Sequence, residues 1–373
     1  MKIVIDDKIP YIRGAFEKVA DTVYLPGSKT TPEVVKDADA IITRTRTICN
    51  EHLLKDSTVR FIATATIGYD HIDTDHCEKN GIGWTNAPGC NSHSVEQYIA
   101  SVLMVLAERG MNLQDSCLAV VGAGNVGSKV ERLARLLGMK VLVNDPPRAR
   151  AEGSEGFVEL QQVMDEADII SLHVPLNMTG VDATFHMADA DFFRQLKRKP
   201  VLINSCRGEV TETIAVKEAL KTGQISDFIC DCWENEPDID LELLSMTALA
   251  TPHIAGYSKD GKSTGTRMSV EAVSQFLGLD LKGWEPQGVE QPEKALIEID
   301  ARSMSEMEIL SVAILHTYDI RKDDQLFRAD PACFEQLRGD YPVRREFPAY
   351  SIRGLQQSAP VTEKLRTMGF KIV

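Results

Sequence analysis

Short runs of apolar, β-branched residues alternate with stretches of helical periodicity along most of this chain. In its first third, Lys2–Asp6 (KIVID), Ala40–Thr43 (AIIT) and Phe61–Thr64 (FIAT) read as strands, and the helix-like TPEVVKDA precedes the second of them. Strands in this rhythm imply parallel pairing through βαβ crossovers. Residues 94–109 (SVEQYIASVLMVLAER) hold apolar positions at helical spacing without Pro or Gly, which predicts one long helix leading into a second domain.

A second series follows. Cys117–Val121, Lys140–Asn144, residues 169–173, Val201–Asn204, residues 228–232 and residues 248–251 read as strands separated by helical segments. About six strands at this spacing make a doubly wound sheet. Residues 281–293 carry Gly, Pro and little periodicity and read as a linker. Beyond them, ALIEID, SEMEILSVAILHTYDI, PACFEQLRG, AYSIRG, VTEKLRTMG and FKIV alternate as strand and helix, which predicts a small α+β domain.

Charge and composition narrow the classes. The net charge of −14 argues against nucleic acid or an anionic membrane as partner, and obliges any anionic substrate to find local arginines. No apolar run is long enough for a transmembrane helix, and MKIVIDDKIP reads as a strand instead of a signal peptide, so a cytoplasmic location is expected. The eight cysteines (49, 77, 90, 117, 206, 230, 232 and 333) have neither redox nor zinc spacing and read as reduced thiols. His71, His76, His93 and His173 show no convergent ligand spacing, so no metal is expected.

Gly122-Ala123-Gly124-Asn125-Val126-Gly127 follows the strand CLAVV and opens a helix, and Asp145 ends the next strand. Such a turn presents backbone N–H groups and a helix N-terminus to a pyrophosphate, while the strand-end acid accepts hydrogen bonds from a ribose. An anion at that position repels a 2′-phosphate, which favours NAD over NADP. Three later strand ends carry candidate chemistry: Arg207 after VLINS, Glu236 in DCWENEP and His253 in TPHIAGY. Singly, each has an ordinary reading as a solvated cation, a cap and a core histidine. Together, at successive strand ends of a sheet with a dinucleotide turn, they supply a carboxylate anchor and an acid/base pair.

GAGNVG, the strand-end Asp145, NSCRGE, DCWENEP and TPHIAGY together resemble the D-isomer 2-hydroxy acid dehydrogenase family over residues 1–280. The resemblance implies a Rossmann-type NAD domain (94–255), a flavodoxin-like substrate domain (1–93 with 256–284) and a C-terminal dimerisation domain (285–373). It implies Arg207 as the substrate-orienting residue, Glu236 as partner of the histidine and His253 as acid/base. Thr45, Thr66 and Tyr257 are implied as substrate contacts, and Gly122, Gly124, Asn125, Val126, Gly127, Asp145, Asp231 and Gly256 as cofactor contacts. Val174 stands where the family usually has Thr, so any cofactor contact there comes from backbone.

For a phosphorylated hydroxy acid, the Thr66–Gly68 turn and Arg207 suit the carboxylate, while Arg44 or Arg46 suits the phosphate, with Arg344 or Arg345 of a partner copy as another source. The other readings are a related dehydrogenase, such as one acting on 3-phosphoglycerate, and a nucleotide-sensing protein without turnover. The apolar positions Ile309, Val312 and Leu315 predict a helix face that a homodimer would cover.

Overall fold

Lys2–Asp6 (β1), Asp21–Leu25 (β2), Ala40–Thr43 (β3), Phe61–Thr64 (β4) and Gly83–Thr85 (β5) form one parallel sheet in the order β2-β1-β3-β4-β5. β1, β3 and β4 have the bounds read from their apolar runs. β2 and β5 do not announce themselves in sequence because they are half-covered edge strands, DTVYL and GWT, without a continuous apolar run. The computed structural model describes residues 1–355 and 359–373. These form two units: Met1–Asn91 with Ser258–Glu290, and Ser92–Tyr257 with Gln291–Val373.

In the first unit the helix Lys259–Leu277 returns to the sheet. The Ser258 hydroxyl caps its start by accepting from the Gly261 N–H, and Gly278 ends it with φ +66°. A Cβ on Gly265 would stand 2.9 Å from the Ala65 carbonyl oxygen, so only glycine lets the helix lie this close to the segment after β4.

The second unit holds a six-stranded parallel sheet built from Cys117–Val121 (β6), Lys140–Asn144 (β7), Ile169–Leu172 (β8), Val201–Asn204 (β9), Asp227–Cys230 (β10) and Leu249–Ala250 (β11). Its order is β11-β10-β9-β8-β6-β7, so the winding reverses between β6 and β8, and the glycine turn follows β6 at that reversal. The helix Ser92–Glu108 is buried on almost every side, as its apolar sequence demands.

The last part of the chain adds a three-stranded parallel sheet, Leu296–Glu298 (β12), Ser351–Arg353 (β13) and Lys371–Ile372 (β14), in sequence order. The helix Glu306–Thr317 begins in a capping box between Ser305 and Glu308. It buries Ile309, Leu310, Ala313 and Ile314 in the core that also takes Ser92–Glu108 and the β6 side chains Leu118 and Val120. Each buried Ile or Leu of this set contributes about 1.5–3 kcal/mol. The expected face of Ile309, Val312 and Leu315 is therefore turned: Ile309 is buried within the chain and Val312 is 42% exposed. The helix Ile320–Ala329, capped by Asp319, was not legible as a separate element.

Candidate active site

Gly122 leaves β6 with φ +88°, and a Cβ there would lie 2.7 Å from the His173 carbonyl oxygen. A Cβ on Gly127 would meet the Gly122 oxygen at 1.9 Å, so the helix Gly127–Leu136 starts hard against the turn. Gly124 differs from both. A Cβ at Gly124 would touch nothing, which leaves open space over the turn where a dinucleotide's phosphates can approach backbone. Gly124 and Asn125 are exposed and Val126 is half-buried.

Asp145 sits at the end of β7, the neighbour of β6. Its Oδ2 accepts the Ala123 N–H at 2.7 Å and its Oδ1 the Arg148 N–H at 3.0 Å. A carboxylate has about four acceptor sites, so two remain for ribose hydroxyls. The residues present fit a dinucleotide. Val174 is half-buried, and its Cγ1 lies 2.9 Å from the position of a Cβ on Gly122. His173 beside it holds a hydrogen bond to the Ser171 hydroxyl at 2.9 Å, and burial pushes its imidazole down to about 3.

The three catalytic candidates leave β9, β10 and β11, which are consecutive in the sheet. Glu236 Oε2 lies 2.7 Å from His253 Nδ1, and Glu236 Oε1 accepts the Trp233 N–H at 2.7 Å. Arg207 is exposed, with Nη1 donating to the Cys206 carbonyl at 2.7 Å. The two loops are in direct backbone contact, because a Cβ on Gly208 would fall 2.0 Å from the Trp233 carbonyl. Buried Asn204, which sequence reasoning passed over, ties them further: its Nδ2 donates to the Arg207 carbonyl at 2.9 Å and reaches the Cys232 carbonyl at 3.5 Å. Glu234 braces the same loop through His186 (2.6 Å) and the Thr213 N–H (2.8 Å).

His253 has φ +54°, a left-handed backbone uncommon outside glycine. Buried Asp231 maintains it. The His253 N–H donates to the Asp231 carbonyl at 2.8 Å, and the Asp231 carboxylate accepts the N–H groups of Ile254 (2.8 Å) and Ala255 (2.9 Å). The Thr251 hydroxyl adds a 2.6 Å bond to that carboxylate. A hydroxyl has one proton, so Tyr98 donates to Thr251 at 2.9 Å, in a buried relay Tyr98–Thr251–Asp231. Burial raises the Asp231 carboxyl, opposed first by the neighbouring His253. Cys232 Sγ, Glu236 and His253 bring possible ligand atoms within 4.8 Å of one another, although Glu236 and His253 already engage each other.

The C-terminal segment reaches the same turn. Arg344 is buried, and its guanidinium donates to Gln97 Oε1 (2.8 Å), to the Ser94 carbonyl (2.5 Å) and to the carbonyls of Ile254 (3.4 Å) and Ala255 (3.3 Å). Its carbon Cζ lies 3.8 Å from the Tyr318 ring centre. The expectation that Arg344 or Arg345 serves a partner copy is corrected here: both are buried within their own chain. Gly256 and Tyr257 complete the turn, half-buried, with the Tyr257 ring 5.8 Å from that of Tyr341.

In the first unit, Thr66 Oγ1 lies 2.7 Å from Thr64 Oγ1 and donates to the Gly68 carbonyl at 2.9 Å. Thr45 and Arg46 are exposed, and Arg44 Nη1 donates to the Lys8 carbonyl at 2.9 Å. A further cation, half-buried Lys262, stands near Arg44. Its ammonium is lowered by burial and then by Lys259 and Arg44. Only the helix Lys259–Leu277 returning to this sheet reveals that grouping.

Comparison with known proteins agrees with the geometry. Residues 98–255 match the family model described as D-isomer specific 2-hydroxyacid dehydrogenase, NAD binding domain, and residues 291–369 match one described only as a domain of unknown function, DUF3410. The chain is 51% identical over 354 residues to the erythronate-4-phosphate dehydrogenase of Bacteroides fragilis, covering 94% of this chain and 99% of that protein. With the protein of that name from Edwardsiella ictaluri it shares 40% over 374 residues, covering 99% of both. Among solved structures it is similar to the D-lactate dehydrogenase of Aquifex aeolicus complexed with NAD and lactic acid (26% identity, TM-score 0.59, 74% of this chain and 96% of that one). The fold is also that of an NAD+-bound 3-phosphoglycerate dehydrogenase from Entamoeba histolytica (24% identity, TM-score 0.61, 78% and 99%).

Proposed function

The chain belongs to the erythronate-4-phosphate dehydrogenases, and from that membership we propose that it oxidises 4-phospho-D-erythronate to (R)-3-hydroxy-2-oxo-4-phosphooxybutanoate with NAD, in pyridoxal 5′-phosphate (vitamin B6) biosynthesis. The observation that carries the chemistry is the 2.7 Å contact between Glu236 Oε2 and His253 Nδ1. With Nδ1–H held by the carboxylate, Nε2 is the atom left to take the proton of the substrate hydroxyl. Glu236 fixes the ring and stabilises the imidazolium that forms. Arg207 orients the substrate carboxylate, as a guanidinium fork suits two oxygens. NAD, when bound, accepts the hydride that leaves the hydroxyl-bearing carbon.

The glycine turn holds the cofactor's phosphates and Asp145 its ribose, and Asp231 acts through the turn that carries His253. Thr45, Thr66 and Tyr257 are our candidates for substrate contacts, and Arg44 with Arg46 for the phosphate. A pure nucleotide sensor would not need the Glu236–His253 pair. A panel of phosphorylated and plain three- and four-carbon hydroxy acids, followed by NADH absorbance, tests the reading. Turnover is expected with 4-phospho-D-erythronate foremost. Preference for 3-phosphoglycerate, or NAD binding without any turnover, would overturn it.

We further place the enzyme in the cytoplasm. No helix among the described residues is long and apolar enough to cross a membrane, and the eight cysteines are all free. We infer a homodimer through the C-terminal segment, where Val312 and Leu326 are exposed apolar side chains. Light scattering that returns a monomer mass removes that inference.

A further inference from the structure

Arg338 lies in the short helix Phe334–Gly339 of the C-terminal segment, within the stretch that matches only a domain of unknown function. Its side chain is 23% exposed. The guanidinium carbon lies 5.8 Å from the ring centre of Tyr257 and 5.6 Å from that of Phe334. Its Nη1 donates to Glu335 Oε1 at 2.8 Å, while its Nε is buried and makes no hydrogen bond among the described residues. Burial opposes the guanidinium's charge, while Tyr257, then Glu335 and Glu236, the acid paired with His253, favour it and hold it above its ordinary value.

A buried donor without an acceptor costs about 1–3 kcal/mol, and more when charged. Arg344, six residues along the chain, shows the alternative, since each of its three nitrogens donates to a protein acceptor. At Arg338, Glu335 engages one nitrogen and the aromatic rings pack on the guanidinium, which leaves the Nε edge for a second anion. An arginine edge of that kind matches two oxygens of a phosphate group.

We propose that Arg338 is a substrate-binding residue that holds the substrate's phosphate monoester, remote from the reacting carbon, and that this gives the C-terminal domain a part in specificity. The proposal rests on the phosphorylated hydroxy-acid substrate argued above.

The test uses the full-length, NAD-loaded protein with Arg338→Met and Arg338→Lys, and the probes 4-phospho-D-erythronate, D-erythronate and inorganic phosphate. Arg338→Met is expected to raise KM for the phosphorylated acid and the inhibition constant of inorganic phosphate by about 10- to 100-fold. Meanwhile kcat, and KM for D-erythronate, should change less than about threefold, and Arg338→Lys should recover part of the loss. Glu335→Gln, which releases the guanidinium, should lower KM for the phosphorylated acid and carries the test if Arg338→Met does not fold. Equal losses on both acids, or unchanged constants, overturn the proposal and make Arg338 a structural brace. Should the wild-type protein not turn over the phosphorylated acid, calorimetric binding of inorganic phosphate still decides for Arg338 alone. Weaker binding by Arg338→Met supports it, and equal binding sinks it.

Discussion

Glu236 spends one oxygen on the Trp233 N–H and the other on His253, so its loop and the His253 ring are fixed by the same carboxylate. Glu236→Gln preserves shape, but a neutral amide cannot stabilise the imidazolium. Its kcat should fall by about 10²–10⁴ with little change in NAD affinity, measured by NADH formation and by fluorescence titration. His173 behaves differently. Burial lowers it to about 3, so it is neutral in the folded chain and titrates near 6.5 when unfolded. The unfolded state therefore binds the extra proton between those values, and stability is lost as pH falls below about 6.5. At about pH 5.5 the loss from this group is about 1.2 kcal/mol relative to pH 7. Urea unfolding at the two pH values checks this, because His173→Gln should remove that part of the difference.

At the scale of elements, the turn bearing His253 is set by three others. The Asp231 carboxylate after β10 takes its N–H groups, Arg344 takes its carbonyls, and Tyr98 on the helix Ser92–Glu108 reaches it through Thr251. Arg344→Met leaves the carbonyls of Ser94, Ile254 and Ala255 without their buried donor. The expected loss is about 3 kcal/mol in denaturant unfolding, with a lower kcat in the folded fraction and KM for NAD nearly unchanged. A stability loss with normal kcat would mean that the turn holds without the arginine. Little of this was legible in sequence. Arg207, Glu236 and His253 stood out because they follow apolar runs, whereas Asn204 and Tyr98 lie inside such runs and read as packing. Arg344 reads as a phosphate-binding cation of a partner copy until its burial is seen.

For the whole molecule, the C-terminal segment shares one core with the cofactor sheet. Ile309, Leu310, Ala313 and Ile314 join Leu118, Val120 and the buried side of Ser92–Glu108. Deleting residues 291–373 should thus expose that helix and destabilise the cofactor unit, leaving a chain that does not bind NAD. Near-ultraviolet circular dichroism and NAD titration read this out, and a truncated chain with native NAD affinity would show that the segment is a detachable appendage.

What the sequence by itself determined is whatever local patterning dictates: the central strands, the glycine turn with Asp145, and the strand-end positions of Arg207, Glu236 and His253. Those signals survive in one dimension because a buried strand must be apolar over its length and a tight phosphate-binding turn must be glycine. Only the tertiary structure decided which contacts those residues make. Parallel pairing set β9, β10 and β11 side by side and so brought Glu236 to His253 across 17 positions of chain. Packing of the C-terminal segment against Ser92–Glu108 buried Ile309 of the expected face while leaving Val312 exposed, and carried Arg344 to the turn bearing His253 and Arg338 to Tyr257. An arginine's sequence context does not reveal burial, because the groups that desolvate it come from segments far away in the chain.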